Sequence, residues 1–163
     1  MSLREHPGPA PSASTSGRSR NMRAIKRTDT QPEREIRSEI HRRGLRYRKD
    51  FRIRIGGAFA RPDVVFTRRK IAVFVDGCFW HSCPLHGKLP SVNTSYWAPK
   101  LARTQARDGV ANELLATAGW QVVRVWEHAS LSSAADIIEH VFDDRRRVGQ
   151  GGPDSPTDLI TVG

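Results

Sequence analysis

The chain has 163 residues, with 27 Lys and Arg against 17 Asp and Glu and a formal net charge of +10. That length suits one domain with a real core, and a positive balance carried mostly by Arg points to a polyanionic partner whose phosphates release counterions on binding. No stretch reaches the roughly 20 apolar residues of a membrane span, and no apolar signal core follows the first charges, so a cytoplasmic protein is expected.

Residues 1–20 are rich in Pro, Ser, Gly and Arg with almost nothing to bury, which predicts a disordered basic arm. Asp29 or Thr30 caps a helix with Pro32 near its first turn, and Ile36, Ile40 and Leu45 form an apolar stripe that Gly44 closes. Leu45 to Phe51 reads as a short extended stretch, and Gly56-Gly57 as a turn. Pro62 to Phe66 is a strand, Thr67 to Lys70 a tight polar turn, and Ile71 to Val75 the hairpin partner. The spacing predicts a helix from about Trp97 or Leu101 to Ala118, ended by Gly119. Trp120 to Trp126 is a further strand and Ala134 to Phe142 an amphipathic helix; residues 147–163 read as a flexible tail. This order predicts an α/β fold, a small mixed sheet flanked by helices.

Residues 74–86 concentrate the chemistry: both cysteines, two histidines, an acid and two adjacent aromatics follow directly on the apolar run from Ile71. In a reducing compartment the cysteines are ligands before they are a disulfide. Cys78, Cys83 and His86 have zinc-ligand spacing, and His128, just beyond the last strand, is the best fourth donor. His81 lies between the two cysteines, and the cluster alone does not decide which imidazole binds metal and which is free for proton transfer. Asp63 begins one strand and Asp76 ends its neighbour, a placement that suits a Mg²⁺ bridging phosphate oxygens, although Pro62-Asp63 is also ordinary turn chemistry. Asp108 either orients an imidazole or is a solvated helix carboxylate. Phe79, Trp80, Tyr96 and Trp97 are either core or a wedge that stacks on bases.

Asn21-Met22-Arg23-Ala24-Ile25, Thr28-Asp29-Thr30, Arg61-Pro62-Asp63, Gly77-Cys78-Phe79-Trp80-His81, Arg107-Asp108 and Val125-Trp126-Glu127 together resemble the very short patch repair (Vsr) DNA mismatch endonucleases. The resemblance runs from about Asn21 to Phe142 and marks residues 21–146 as the endonuclease domain. It implies a PD-(D/E)xK restriction-endonuclease-like fold with a structural Zn²⁺, and Mg²⁺-dependent nicking of duplex DNA 5′ to the thymine of a T:G mispair. Asp63 and the Val75 carbonyl then hold Mg²⁺, His81 is the catalytic imidazole, Asp108 its partner, and Glu33 a further active-site acid. Phe79, Trp80 and Trp97 match the intercalating aromatics, with Met22, Arg23 and Lys100 as further DNA contacts. A monomer is expected, with mismatch-repair proteins as candidate partners.

The sequence departs from that pattern in two places. A His stands at the Cys83 place in the family, and Cys at the His86 and His128 places; the swaps preserve a tetrahedral set. Asp76 stands where the family carries a second active-site histidine, and Val75 where it carries a threonine. Asp76 is therefore expected to bind metal or a metal-bound water, leaving proton transfer to His81. Two rival readings remain: a nuclease of the same fold that cuts matched duplex, and a zinc-stapled DNA-binding module without catalysis.

Overall fold

The structure, a computed structural model, describes residues 29–148 and 159–163. The expected basic arm, Met22 and Arg23 lie outside the described residues. The elements run α1 (Gln31–Arg42), β1 (Ile53–Ile55), β2 (Ala58–Ala60), β3 (Val64–Phe66), a 3₁₀ turn (Thr67–Arg69), β4 (Ile71–Asp76), α2 (Thr94–Thr117), β5 (Gln121–Trp126), α3 (Leu131–Val148) and β6 (Ile160–Val162).

A four-stranded sheet in the order β3-β4-β5-β6 forms the centre. β3 and β4 are the expected antiparallel hairpin, and Lys70 closes it in the left-handed region at φ 50°. β4 and β5 are parallel, so α2 is the crossover between them, and β5 and β6 are parallel across α3. Alternation along each strand sends residues to two layers. Val64, Phe66, Ile71, Val73, Val123 and Val125 pack with Ile36 and Ile40 of α1 and Ala134, Ala135 and Ile138 of α3. Val65, Ala72 and Val122 pack on the other face with Leu115 of α2 and with Ile53 and Ala60 of the small hairpin β1-β2. Each fully buried Val or Ile contributes roughly 1.5–3 kcal/mol, so these layers hold the sheet between its helices.

Four boundaries differ from expectation. α2 starts earlier, at Thr94, with Asn93 at the cap position at φ 58°, and it accommodates Pro99 inside the helix. The extended stretch before Gly56-Gly57 contributes a single bridge, Arg48 to Val65, while the strands of that hairpin flank the glycines directly. α3 continues to Val148, well past Phe142. Residues 160–162, read as part of a loose tail, form β6 instead; Val162 is buried and pairs beside Val125, a gain in ladder bonds and apolar burial invisible to local composition.

Candidate active site

The chemistry gathers at the C-terminal end of β4, where the strand releases its chain into the loop ahead of α2. Asp63, just before β3, sits beside that end: its Oδ2 accepts the Val75 N–H at 2.8 Å, and its own N–H donates to the Val73 carbonyl at 3.0 Å. Burial pushes the Asp63 carboxyl up to about 7; the Val75 bond opposes this, while the negative charges of Glu33 and Asp76 add to it. A carboxylate so placed is short of a positive charge.

Glu33 is buried in the first turn of α1. Its Oε1 accepts the Thr30 hydroxyl and its Oε2 the Asp29 N–H, both at 2.8 Å, and Arg37 pairs with Oε2 at 3.4 Å and with Asp29. This closes the helix start in the manner of a capping box, with the acid reaching back over donors that have no helical partner. The acid expected at the active site thus shapes the helix entrance while its charge reaches Asp63.

His81 and Asp108 meet, although 27 positions separate them. Asp108 lies on α2, one turn beyond Thr104 and two beyond Lys100, and its Oδ2 is 2.6 Å from His81 Nδ1. Burial alone lowers the His81 pKa, but the Asp108 bond and the charges of Asp76 and Asp108 outweigh it and the net direction is up. For Asp108 burial raises the pKa, and the His81 and Arg124 contacts bring it below the ordinary range. Asp108 is therefore a bonded partner and not a solvated helix carboxylate.

Asp76 is held among protein side chains. It is 2 % exposed, and its Oδ2 is held by Arg124 Nη1 at 2.6 Å, while Oδ1 lies 3.5 Å from His81 Nδ1. Burial raises its pKa, partly offset by Arg124 and His81. The carboxylate expected to face a metal has the Arg124 guanidinium on one oxygen and the His81 ring near the other. Arg124 was missed in the sequence; its signal is one charged residue within the apolar run Val122–Val125.

Beyond Asp76 the loop folds on a cluster of Cys78, Cys83, His86 and His128, whose ligand atoms all lie within 4.8 Å of one another. Cys78 Sγ is 3.0 Å from His128 Nδ1 and 3.9 Å from His86 Nδ1; Cys83 Sγ is 3.8 Å and 4.0 Å from the same two nitrogens. Burial and the neighbouring Cys83 raise the Cys78 thiol, a penalty that a bound cation reverses. The set can hold one metal ion. Gly87 was also missed: a Cβ there would lie 2.5 Å from the Cys83 nitrogen, so only glycine lets the chain turn back and donate to the Cys83 carbonyl at 2.7 Å.

The aromatics form one half-exposed group. Phe79 is 5.1 Å from Trp80 and 5.2 Å from Trp97, ring centre to ring centre, and Tyr96 is 5.2 Å from Trp97, all edge-on. Lys100 Nζ lies over Trp80, Tyr96 and Trp97 at 5.2–5.4 Å and donates to the Tyr96 hydroxyl at 3.1 Å. Such an aromatic-cationic platform beside a polar loop can stack on nucleobases and meet phosphate.

No helix among the described residues is long and apolar enough to cross a membrane. Residues 13–85 match the family model of the DNA mismatch endonuclease Vsr. The chain is 50% identical over 144 residues to the type II nicking enzyme V.NaeI of Lentzea aerocolonigenes, covering 83% of this chain and 87% of that one. It is 38% identical over 126 residues to the type II nicking enzyme V.XorIIP of Xanthomonas oryzae pv. oryzae, covering 75% and 89%. With the DNA mismatch endonuclease Vsr of Escherichia coli it shares 37% over 114 residues, 69% and 70% of the two chains. The chain belongs to the Vsr family of DNA mismatch endonucleases and is an endonuclease that nicks DNA.

Proposed function

We propose that the protein nicks one strand of duplex DNA 5′ to the thymine of a T:G mispair, by Mg²⁺-dependent hydrolysis that leaves a 5′-phosphate and a 3′-hydroxyl. The observation that carries this reading is the His81–Asp108 pair at 2.6 Å on the same strand end as the buried, charge-deficient Asp63. With Nδ1–H donated to Asp108, the other ring nitrogen, Nε2, is free to take a proton from water as it attacks phosphorus. Asp63 and the Val75 carbonyl offer hard oxygen donors that suit Mg²⁺. When bound there, the ion would supply charge neutralisation at the scissile phosphate. Glu33 contributes negative potential to that position.

Zinc suits the four-residue cluster. Bond lengths of about 2.3 Å to sulfur and 2.05 Å to nitrogen in a tetrahedron put sulfur and nitrogen about 3.6 Å apart; the sulfur–nitrogen distances here run from 3.0 to 4.0 Å. A structural ion there would tie the loop to the end of β5 and brace Phe79 and Trp80, which with Trp97 would wedge beside the mispair at a cost of a few kcal/mol of base stacking. Lys100 and the segment containing Met22 and Arg23 would contact the backbone.

Nicking of a T:G duplex against the matched T:A duplex, with and without Mg²⁺, tests the reading. Mg²⁺-dependent cleavage of one strand, selective for T:G, is expected. Equal cleavage of T:A would establish a matched-duplex nuclease instead, and binding without cleavage would leave only a DNA-binding module.

A further inference from the structure

We propose that Arg124 is a positioning residue of this site: one guanidinium holds Asp76 and Asp108 against opposite sides of its fork, and the two carboxylates together set where His81 points. The inference rests on the nicking reaction proposed above.

Arg124 occupies the middle of β5 between Val122, Val123 and Val125, and it is 7 % exposed. A guanidinium in such a strand is costly to desolvate and persists only when its donors are satisfied. Here they are. Nη1 meets Asp76 Oδ2 at 2.6 Å, Nη2 meets Asp108 Oδ1 at 3.2 Å, and Nε donates to Asn112 Oδ1 at 3.1 Å. The guanidinium Cζ lies over the Phe74 ring, 4.7 Å from the ring centre.

Strand register explains why these groups meet. Phe74 pairs with Arg124 across the parallel β4-β5 ladder, so Asp76, two residues on, is the diagonal neighbour on the same face. Asp108 and Asn112 are one turn apart on α2, which packs on that face. The carboxylates then divide their oxygens in the same way. One oxygen of each faces Arg124, and the other faces His81 Nδ1, at 2.6 Å from Asp108 and 3.5 Å from Asp76. Both acids are thus spoken for by protein groups, and Asp76 acts on the imidazole rather than on a metal. A lysine could not reproduce this, because its single ammonium lacks a planar fork that spans two carboxylates and an amide at once.

The test compares wild type, Arg124→Lys and Arg124→Met in single-turnover nicking of a T:G duplex and in equilibrium binding of that duplex without Mg²⁺. Arg124→Lys keeps charge and stem, so it covers the case in which Arg124→Met does not fold. Both should nick about 10²-fold more slowly, the scale expected for a misplaced catalytic group, with duplex affinity within about threefold of wild type. In the His81→Ala background Arg124→Lys should cause no further loss, because it acts through the imidazole. The ¹⁵N spectrum of His81 should move from the Nδ1–H towards the Nε2–H tautomer in Arg124→Lys. A rate within about threefold of wild type, a loss that persists without His81, or equal losses in rate and affinity would each overturn the inference. Wild-type protein that does not nick T:G duplex would remove the underlying reading; nicking that Arg124→Lys leaves intact removes this inference alone.

Discussion

Glu127 accepts the backbone N–H of Cys78 at 2.7 Å, which joins the last residue before His128 to the first cysteine of the Cys/His cluster. Glu127 N–H in turn donates to the Asp76 carbonyl at 2.9 Å, so the strand ends β4 and β5 stay paired beyond the sheet. The two halves of the cluster, Cys78-Cys83-His86 and His128, are thereby held together by protein contacts as well as by any ion they share.

That arrangement predicts a stability effect from metal. Chelation of bound zinc should lower the melting temperature, by the equivalent of about 4 kcal/mol relative to free metal at a thousand times its dissociation constant. Cys83→Ser should reduce zinc content below one ion per chain, as measured by elemental analysis. Gly87→Ala should do the same without removing a ligand, since its Cβ collides with the Cys83 backbone. Full zinc occupancy in Gly87→Ala would show that the loop tolerates the added carbon.

Glu127→Ala should cost about 1–3 kcal/mol by leaving the Cys78 N–H without its acceptor, and Glu127→Gln, which retains an acceptor oxygen, should recover most of it. Denaturant midpoints of the two variants decide this. Equal losses would point to charge rather than to the hydrogen bond.

Asp63 carries a pH dependence. Its folded pKa of about 7 stands above the ordinary value of 3.8. The folded state binds the proton more tightly than the unfolded state, so metal-free stability should fall as pH rises from about 4 to about 7 and level off above that. The full effect is on the order of 4 kcal/mol, since each pKa unit is about 1.4 kcal/mol. Asp63→Asn should flatten this contribution and make the metal-free protein more stable at pH 8, while abolishing nicking. Stabilisation by Mg²⁺ should be present in wild type and absent in Asp63→Asn. Thermal melts across pH, with and without Mg²⁺, give both answers.

His81→Ala should lower single-turnover nicking about 10²–10⁴-fold with duplex binding retained, the range for loss of a general base. Asp108→Asn should fall in the same direction by less, because the ring stays in place while its Nδ1–H loses an ionic acceptor. A wild-type rate in either variant would exclude the assigned proton path.

Trp97→Ala should weaken binding of the T:G duplex by about 1–3 kcal/mol, the worth of one stacked aromatic. The effect on matched T:A duplex should be smaller, if the ring meets an opened base step. Fluorescence anisotropy on both duplexes measures the difference. Equal losses would assign Trp97 to the packing of the Phe79-Trp80-Trp97 group.

Much of the frame was legible in the chain because its signals are local. Pro32 after Thr30, the β-branched runs at 64–66, 71–75 and 121–126, and Gly119 after a long helix each report their own few residues. Cys78, Cys83 and His86 could be grouped because ligand spacing has a narrow physical range, His128 was the best remaining donor just beyond a strand, and the structure brings all four together. The strand at 160–162 was not legible, since three residues after a Gly- and Pro-containing segment acquire their structure only from the exposed edge of β5. Residues 45–51 misled for the opposite reason: an extended local pattern has no ladder partner beyond Arg48.

The run from Phe74 to His86 remains the most informative part of the sequence: it supplied the residue types available for metal, and with the segments at 21–30, 61–63, 107–108 and 125–127 it carried the family resemblance. Tertiary structure decided what surrounds each acid. Asp63, Asp76 and Asp108 are alike as side chains, and no local pattern ranks them. Burial beside Val75 leaves Asp63 short of positive charge, Arg124 from the neighbouring strand engages Asp76, and one face of α2 delivers Asp108 to His81. A carboxylate's role follows from the charges and donors around it, and those come here from residues 12 to 48 positions away.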